Sequence, residues 1–222
     1  MPSSTEQNYL KAILQLTGRT GEPDRVSPGL LARELAVTPG TVTPMMKQLA
    51  RTGLVTYEPR RGVALTRAGR RAAVDILRRH RLVELFLVNV MGMDWADVHD
   101  EAEELEHVVS DRVVARMDAM LGHPTHDPHG APIPTATGAT PRRRAKRLAQ
   151  CVPGRYRLVE APDRDRDFLG WMSERGLTVG AGFTLEAIDR PGAIVTLTVP
   201  GRKQPVCMGL DSAARLRVMP AA

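Results

Sequence analysis

The sequence predicts an α+β protein with an N-terminal winged helix-turn-helix, a helical domain and a small C-terminal β-barrel. Capped segments with helical periodicity fill the first part of the chain, and two longer amphipathic helices follow. From Leu148 onward, short alternating runs separated by turn residues replace the helices. With 222 residues, of which 42% are hydrophobic, the chain can hold one large or two small domains.

Three helices are predicted before residue 54. "TEQNYLKAILQL" places four apolar side chains on one helix face: Tyr9, Leu10, Ile13 and Leu14. Ser27 and Pro28 form the N-cap and first turn of a second helix, and Thr38 and Pro39 repeat this device for a third, which Gly53 ends. Two helices joined by about three residues are typical of a helix-turn-helix.

A basic hairpin follows the third helix. In "LVTYEPRRGVALT" two short β-type runs flank a tip that carries two arginines, as in a wing. This order of elements predicts binding to double-stranded DNA, and residues 1–80 agree with 13 Lys/Arg against 6 Asp/Glu. The predicted DNA contacts are Thr38, Pro39, Gly40, Thr41, Thr43, Pro44, Lys47, Arg60 and Arg61.

Pro44 leaves the start of the third helix open. In a helix capped by Thr38, Pro44 would remove the bond to the Gly40 carbonyl. Either the helix begins later, with Thr41 as its cap, or it contains Pro44 in its interior and is kinked.

Composition excludes several classes of protein. No apolar run reaches the ~18 residues of a membrane span, so we expect a soluble protein with no membrane partner. The N-terminus lacks a basic region followed by an apolar run, so no secretory signal is expected. Cys151 and Cys207 give no disulfide framework, which favours a cytoplasmic location.

Two long helices are predicted over residues 66–121. The first begins after Thr66 and carries His80 and Glu84 one turn apart. The second is predicted as one continuous helix with an apolar face for a partner helix or second subunit: Val98, Ala102, Leu105, Val109, Val113 and Met117. Another stripe of the same helix holds potential metal ligands: His99, Glu103, Glu106 and His107.

That stripe supports a metal site or a solvated acidic face. Clustered carboxylates repel one another unless a cation or water screens them. Imidazole and carboxylate donors without a thiolate suit Mn(II) or Fe(II). A di-iron bundle would need a second element like Glu104-x-x-His107, which we do not find, and no nucleophile–base pair or phosphate loop indicates an enzyme.

Residues 122–222 are predicted to form a linker and a small β domain. "GHPTHDPHGAPIPTATGATPRRRAKRL" is rich in Pro and Gly, so His123, His126 and His129 are interpreted as linker residues rather than metal ligands. The basic run from Arg142 to Arg147 is either a solvated charge run or a set of phosphate contacts. Five short strands with one helix between the first two predict a small barrel. The predicted domains are 1–75, 76–135 and 148–222, with a linker over 136–147.

Several stretches resemble the diphtheria toxin repressor family of metal-dependent regulators. "RRHRLVELFLV", "WADVHDEAEELEHVVSD" and "HPTHDPHGAPIP" are similar to that family's segments in order and spacing, and the likeness covers residues 5–135 well. The resemblance implies a homodimeric, metal-activated repressor whose C-terminal domain is SH3-like, of the FeoA type, and whose ligand is a metal ion rather than an organic molecule.

The resemblance also implies two metal sites per subunit. The primary site would comprise Asn8, Glu103, Glu106 and His107. The ancillary site would comprise His80, Glu84, His99, Asp165 and Asp167.

Position 103 bears on the metal. Iron-responsive relatives have Cys there and manganese-responsive relatives a carboxylate, so Glu103 favours Mn(II), with Fe(II) as the alternative and other divalent transition metals as possible substitutes.

At the Asn8 position manganese relatives typically have Asp and iron relatives Met, and a neutral amide oxygen should bind Mn(II) less strongly than a carboxylate. Lys11 stands where some manganese relatives have Glu, so their second metal in the primary cluster is not expected to form in the same way. The rival interpretation is a winged-helix regulator gated by a non-metal ligand.

Overall fold

The chain forms two compact units in a computed structural model that describes residues 2–17, 25–135, 137–140 and 144–221. One unit comprises residues 1–80 with 134–139, and the other comprises 81–133 with 140–222. Helix α4 contributes to both units, because it runs from Arg67 to Asn89. No described helix is both long and apolar enough to cross a membrane.

The first unit begins with the three predicted helices. They are α1 (Ser4–Thr17), α2 (Pro28–Glu34) and α3 (Pro39–Arg51). The Ser27 hydroxyl caps α2 by accepting a hydrogen bond from the Leu30 amide. The apolar faces of the three helices meet in one core, which includes Leu10, Leu31 and Leu49. The winged helix-turn-helix predicted from capping and periodicity is therefore confirmed.

Helix α3 includes Pro44 in its interior, so the later start at Thr41 is wrong. Thr38 is the N-cap, although its side chain makes no capping bond and instead lies 2.9 Å, oxygen to oxygen, from the Thr41 hydroxyl. The Gly40 carbonyl loses the bond that the amide of residue 44 would donate.

The wing is the antiparallel pair β1 (Val55–Glu58) and β2 (Gly62–Leu65). Val26 forms a bridge to Val63, so the segment before α2 lies against the wing. Only glycine fits at position 62, because a Cβ there would lie 2.4 Å from the Val26 carbonyl oxygen and its φ is +97°.

The second predicted long helix is in fact two helices. They are α5 (Val98–Leu105) and α6 (Asp111–Met120), separated by a turn. The Ser110 hydroxyl accepts a hydrogen bond from the Val113 amide, and Asp111 lies in the first turn of α6. This capping pattern favours a new helix start at residue 111 over continuation of α5. Of the predicted apolar face, Val98 and Ala102 are buried, whereas Val113 is 45% exposed.

The C-terminal part of the second unit is a six-stranded antiparallel sheet. Its strands are β3 (Lys146–Arg147), β4 (Gly154–Glu160), β5 (Gly182–Asp189), β6 (Ile194–Thr198), β7 (Val206–Gly209) and β8 (Arg217–Pro220), in the spatial order β3-β8-β4-β5-β6-β7. The five predicted strands are present, and β3 is additional. The predicted helix is α7 (Arg166–Ser173), while α8 (Leu210–Arg215) was not predicted.

Residues 123–133 form an ordered loop within the second unit, although their composition predicted a linker. His126 pairs with Pro132, and the Ala161 amide donates a hydrogen bond to the His129 carbonyl at 2.9 Å. A Cβ at Gly130 would lie 2.0 Å from the Val159 carbonyl oxygen, so the loop packs directly on β4. Arg142 and Arg143 of the predicted basic run lie outside the described residues.

Candidate metal centre and nucleic-acid interface

Helix α3 presents its polar residues on the surface of the first unit. Six of the predicted contact residues are exposed: Thr38, Pro39, Gly40, Thr41, Pro44 and Lys47. Thr43 is half-buried, while Val42 and Met46 fill the core. The helix therefore exposes short hydroxyl side chains and one lysine, which are suited to base edges and phosphates.

The wing arginines are exposed beside this helix. Arg60 occupies the tip in the left-handed region, with φ +68°. Arg61 forms an ion pair with Glu58 at 2.8 Å, and Glu58 is also bonded to Arg25. A groove of about 720 Å³ between α3 and the wing is lined by Thr43, Pro44, Lys47, Ala50, Arg51 and Tyr57. Its basic residues give this face a positive charge that suits a polyanion.

Asn8 lies on α1 with a side-chain oxygen that lacks a hydrogen-bond partner. This Oδ1 atom is buried, and among the described residues nothing donates to it. A buried amide oxygen that accepts no hydrogen bond is energetically costly. A bound cation would supply the missing partner, so the Asn8 oxygen fits the role of a metal ligand.

The start of α1 is tied to α3. Ser3 and Glu6 form a capping box, in which the Ser3 amide donates to Glu6 at 2.8 Å and the Glu6 amide to Ser3 at 3.3 Å. The bond from the Ser3 backbone lowers the pKa of Glu6, although partial burial opposes it. The other Glu6 oxygen accepts a hydrogen bond from Gln48 on α3 at 3.0 Å. The helix that carries Asn8 is therefore hydrogen-bonded to α3 through Glu6.

In the second unit, His99 lies between two carboxylates. Its Nδ1 is 3.3 Å from Glu84 Oε1, and its Nε2 is 3.6 Å from Glu103 Oε1. Glu84 is fully buried, and Glu103 is half-buried. His80 belongs to the first unit, is also buried and lies one turn before Glu84 on α4. These imidazole and carboxylate donors fit a borderline-to-hard divalent ion.

Glu106 and His107 lie in the turn that follows α5 rather than on a continuous helix. The Glu106 amide still donates to the Ala102 carbonyl at 2.9 Å, so the helical direction continues through this residue. The Glu106 side chain is buried, and its Oε1 is 3.4 Å from His107 Nε2. A buried carboxylate and imidazole in contact provide one oxygen and one nitrogen donor.

Asp165 and Asp167 lie at the start of α7. Asp165 caps this helix by accepting from the Phe168 amide, and it forms an ion pair with Arg215 at 2.7 Å. The Arg215 hydrogen bond lowers the pKa of Asp165. Asp167 is exposed. Among the described residues, neither aspartate lies in a group of three ligand atoms within 4.8 Å of one another.

A second group of potential ligands was not predicted. Single ligand atoms of Glu84, Asp127 and His129 lie within 4.8 Å of one another, and all three residues are buried. Burial and the nearby Glu84 charge raise the pKa of Asp127 to about 7, against the opposing charge of Arg81. Burial alone would lower the pKa of His129, but the Glu84 carboxylate, 3.8 Å away, outweighs it and the pKa rises to about 9.

The sequence contained one signal for this group. The three histidines of the Pro-rich segment recur every third residue, and only His129 is drawn into the interior. His123 is exposed and pairs with Asp118 at 2.8 Å, while His126 lies next to Thr125. Composition alone could not distinguish the three.

Two family profiles match the chain. The N-terminal DNA-binding domain of iron-dependent repressors matches residues 1–63, and their metal-binding and dimerisation domain matches residues 66–135. The iron-dependent repressor IdeR of Mycobacterium tuberculosis is 32% identical over 214 residues, which cover 90% of each chain. The diphtheria toxin repressor of Corynebacterium diphtheriae is 31% identical over 211 residues, covering 89% of this chain and 90% of that one.

Solved structures of manganese regulators share the fold. A manganese-dependent transcriptional repressor in complex with manganese is 37% identical, with a TM-score of 0.87 over 97% of this chain and 100% of the other. The manganese regulator SloR is 29% identical, with a TM-score of 0.79 over the whole of both chains.

Proposed function

Because this chain belongs to the iron-dependent repressor family of metal-dependent, DNA-binding transcriptional regulators, which are not enzymes, we propose that Mn(II) is the ion that activates it. The protein would act in the cytoplasm. The genes that it regulates would be those of metal-ion homeostasis, above all the genes of manganese uptake. The observation that carries the choice of metal is Glu103, an oxygen donor in contact with His99, in a ligand set that contains no thiol. The manganese-dependent repressor with a TM-score of 0.87 also supports Mn(II). The alternative, Fe(II), is supported by the 32% identity to IdeR.

The primary site in this proposal consists of Asn8, Glu103, Glu106 and His107. A bound divalent metal would neutralise the negative charge of the Glu103 and Glu106 carboxylates. The buried Asn8 oxygen without a donor supports its role as the ligand from the first helix. The ancillary site consists of His80, Glu84, His99, Asp165 and Asp167, of which Glu84 and His99 are already in contact.

DNA binding in this proposal uses the start of α3 and the wing. The residues are Thr38, Pro39, Gly40, Thr41, Thr43, Pro44, Lys47, Arg60 and Arg61. Their exposure, and the basic groove between α3 and the wing, support this role. A ligand that fixes Asn8 would also fix Gln48 on α3 through the Glu6 hydrogen bond.

The proposed homodimer buries apolar side chains of the second unit. Several large ones are exposed on or beside the helices of the matched dimerisation domain: Val90, Met91, Val108, Val113 and Met120. Such a set is costly in water, and a second copy would cover it. A dimer also presents two recognition helices to successive major grooves.

Metal preference tests the choice of Mn(II). We expect the full chain to bind Mn(II) and to bind DNA at Mn(II) concentrations at which Fe(II), handled without oxygen, is less effective. Glu103→Cys should move this preference toward Fe(II), because a thiolate is a softer donor than a carboxylate. Competition titrations of both proteins, with DNA binding followed by fluorescence anisotropy, measure the ranking. Glu101→Cys, which adds a thiol at an exposed position of the same helix, is the control. An identical ranking in wild type and Glu103→Cys would contradict the assignment.

A further inference from the structure

His129 is oriented as a metal-ligating histidine is. Its Nε2 donates a hydrogen bond to the Trp95 carbonyl at 2.8 Å, and its ring stacks on the Trp95 indole with centroids 5.6 Å apart. The Nδ1 atom therefore faces Glu84, and among the described residues it has no hydrogen-bond partner although the side chain is fully buried. A histidine that binds a metal through one nitrogen usually donates the other N–H to a carbonyl or carboxylate.

Asp127 is held with one oxygen occupied and the other directed inward. Its Oδ1 accepts hydrogen bonds from the amides of His129 and Ala131, both at 2.9 Å. Its Oδ2 is buried, accepts no hydrogen bond from the described residues and is 3.4 Å from Arg81 Nε. Because Gly130 packs against the β4 backbone, the loop fixes both Asp127 and His129 before any ligand binds.

The donor atoms of this buried cluster suit a cation. Two carboxylates, Glu84 and Asp127, meet here, and one guanidinium, that of Arg81, lies beside Asp127. A buried carboxylate needs a partner of opposite charge in a site that excludes water. One nitrogen and two oxygen donors within 4.8 Å of one another suit a divalent ion such as Mn(II), Fe(II) or Zn(II).

We propose that Glu84, Asp127 and His129 bind a divalent metal ion at a position separate from the primary and ancillary sites. Glu84 would serve two positions, because its Oε1 faces His99 while its Oε2 faces His129. The ion would join α4 to the loop over residues 123–133, and through that loop to β4. This site goes beyond the proposed function, since it needs neither DNA nor Asn8.

The number of bound metal ions tests the proposal. His129→Phe in the full chain keeps a ring against Trp95 and removes both ring nitrogens. Equilibrium dialysis against Mn(II), with bound ion measured by elemental analysis, should show one equivalent fewer per chain than in wild type. His123→Phe, at an exposed histidine of the same loop, should lose none. An unchanged number of ions in His129→Phe would overturn the proposal.

A second variant covers the case in which His129→Phe does not fold. Asp127→Asn retains an oxygen for the amides of His129 and Ala131 but removes the negative charge. It should weaken one class of bound Mn(II) by about 10-fold or more, and wild-type binding would overturn the proposal. Co(II) gives an optical readout in a Trp171→Phe background, where Trp95 is the remaining tryptophan. Co(II) should quench its emission, and His129→Phe should abolish the quenching.

The variant Glu103→Gln distinguishes a failure of the new site from a failure of the primary site in the proposed function. If Glu103→Gln loses an ion and His129→Phe does not, the primary site stands and the new site falls. If His129→Phe loses an ion and Glu103→Gln does not, the new site stands and the primary site falls.

Discussion

At the scale of single residues, the site depends on side chains whose charge or hydrogen bonding is left incomplete within the protein. The Asn8 oxygen and the His129 Nδ1 are both buried, and neither has a hydrogen-bond partner among the described residues. Buried polar atoms are normally paired, so such exceptions point to a missing ligand. Because the Asn8 side chain is neutral, its oxygen should contribute less to metal affinity than the carboxylate of an aspartate would.

Substitution of Asn8 tests this role. Asn8→Leu keeps the side-chain size but removes the oxygen, so about 10-fold more Mn(II) should be needed for half-maximal DNA binding. Asn8→Asp adds a negative charge and should lower the required concentration. Gln7→Leu, at the adjacent position of the same helix, is the control and should leave it unchanged. If Asn8→Leu responds to Mn(II) as wild type does, Asn8 is not a ligand.

At the scale of elements, the loop over residues 123–133 is the connection that organises the second unit. It contributes Asp127 and His129, and Gly130 brings its backbone against β4. Gly130 has φ +85°, and a side chain there would meet the Val159 carbonyl. The loop can therefore hold its two potential ligands only while position 130 remains glycine.

Gly130→Ala should destabilise the second unit. A Cβ 2.0 Å from a backbone oxygen, added to an unfavourable φ, should lower the free energy of unfolding by about 2 kcal/mol or more. Gly122→Ala is a matched control, since φ is +72° there but nothing lies within 4 Å, and about 1 kcal/mol is expected. Urea denaturation of both variants in EDTA measures the difference. Equal losses would show that the close approach to β4 carries no stability.

The sequence predicted those elements whose signals are local. Caps and periodicity were sufficient for α2 and for the existence of α3, although Pro44 left the start of α3 open. Spacing of four residues identified His99 and Glu103 as neighbours. The break between α5 and α6 was missed, although Ser110 and Asp111 mark it, because the apolar period continues across the turn. His129 could not be assigned, because its burial depends on contact with β4, about thirty residues further along the chain.

At the scale of the whole molecule, the basic residues and the acidic residues are concentrated in different parts of the chain. Residues 1–80 carry 13 Lys/Arg against 6 Asp/Glu, and residues 81–125 carry 3 against 10. The basic part matches the DNA-binding domain of the family, and the acidic part lies within its metal-binding domain. If metal binding fixes the DNA-binding geometry, then linkage requires DNA to raise metal affinity by the same factor as metal raises DNA affinity.

The most direct test of this account is DNA affinity with and without metal. A duplex selected from a random pool in Mn(II) would be labelled and titrated with the full chain at one fixed salt concentration, because phosphate contacts make affinity salt-dependent. The account predicts binding about 5-fold to 150-fold tighter in Mn(II) than in EDTA, as expected for a coupling free energy of about 1–3 kcal/mol. Equal affinity in Mn(II) and in EDTA would contradict it.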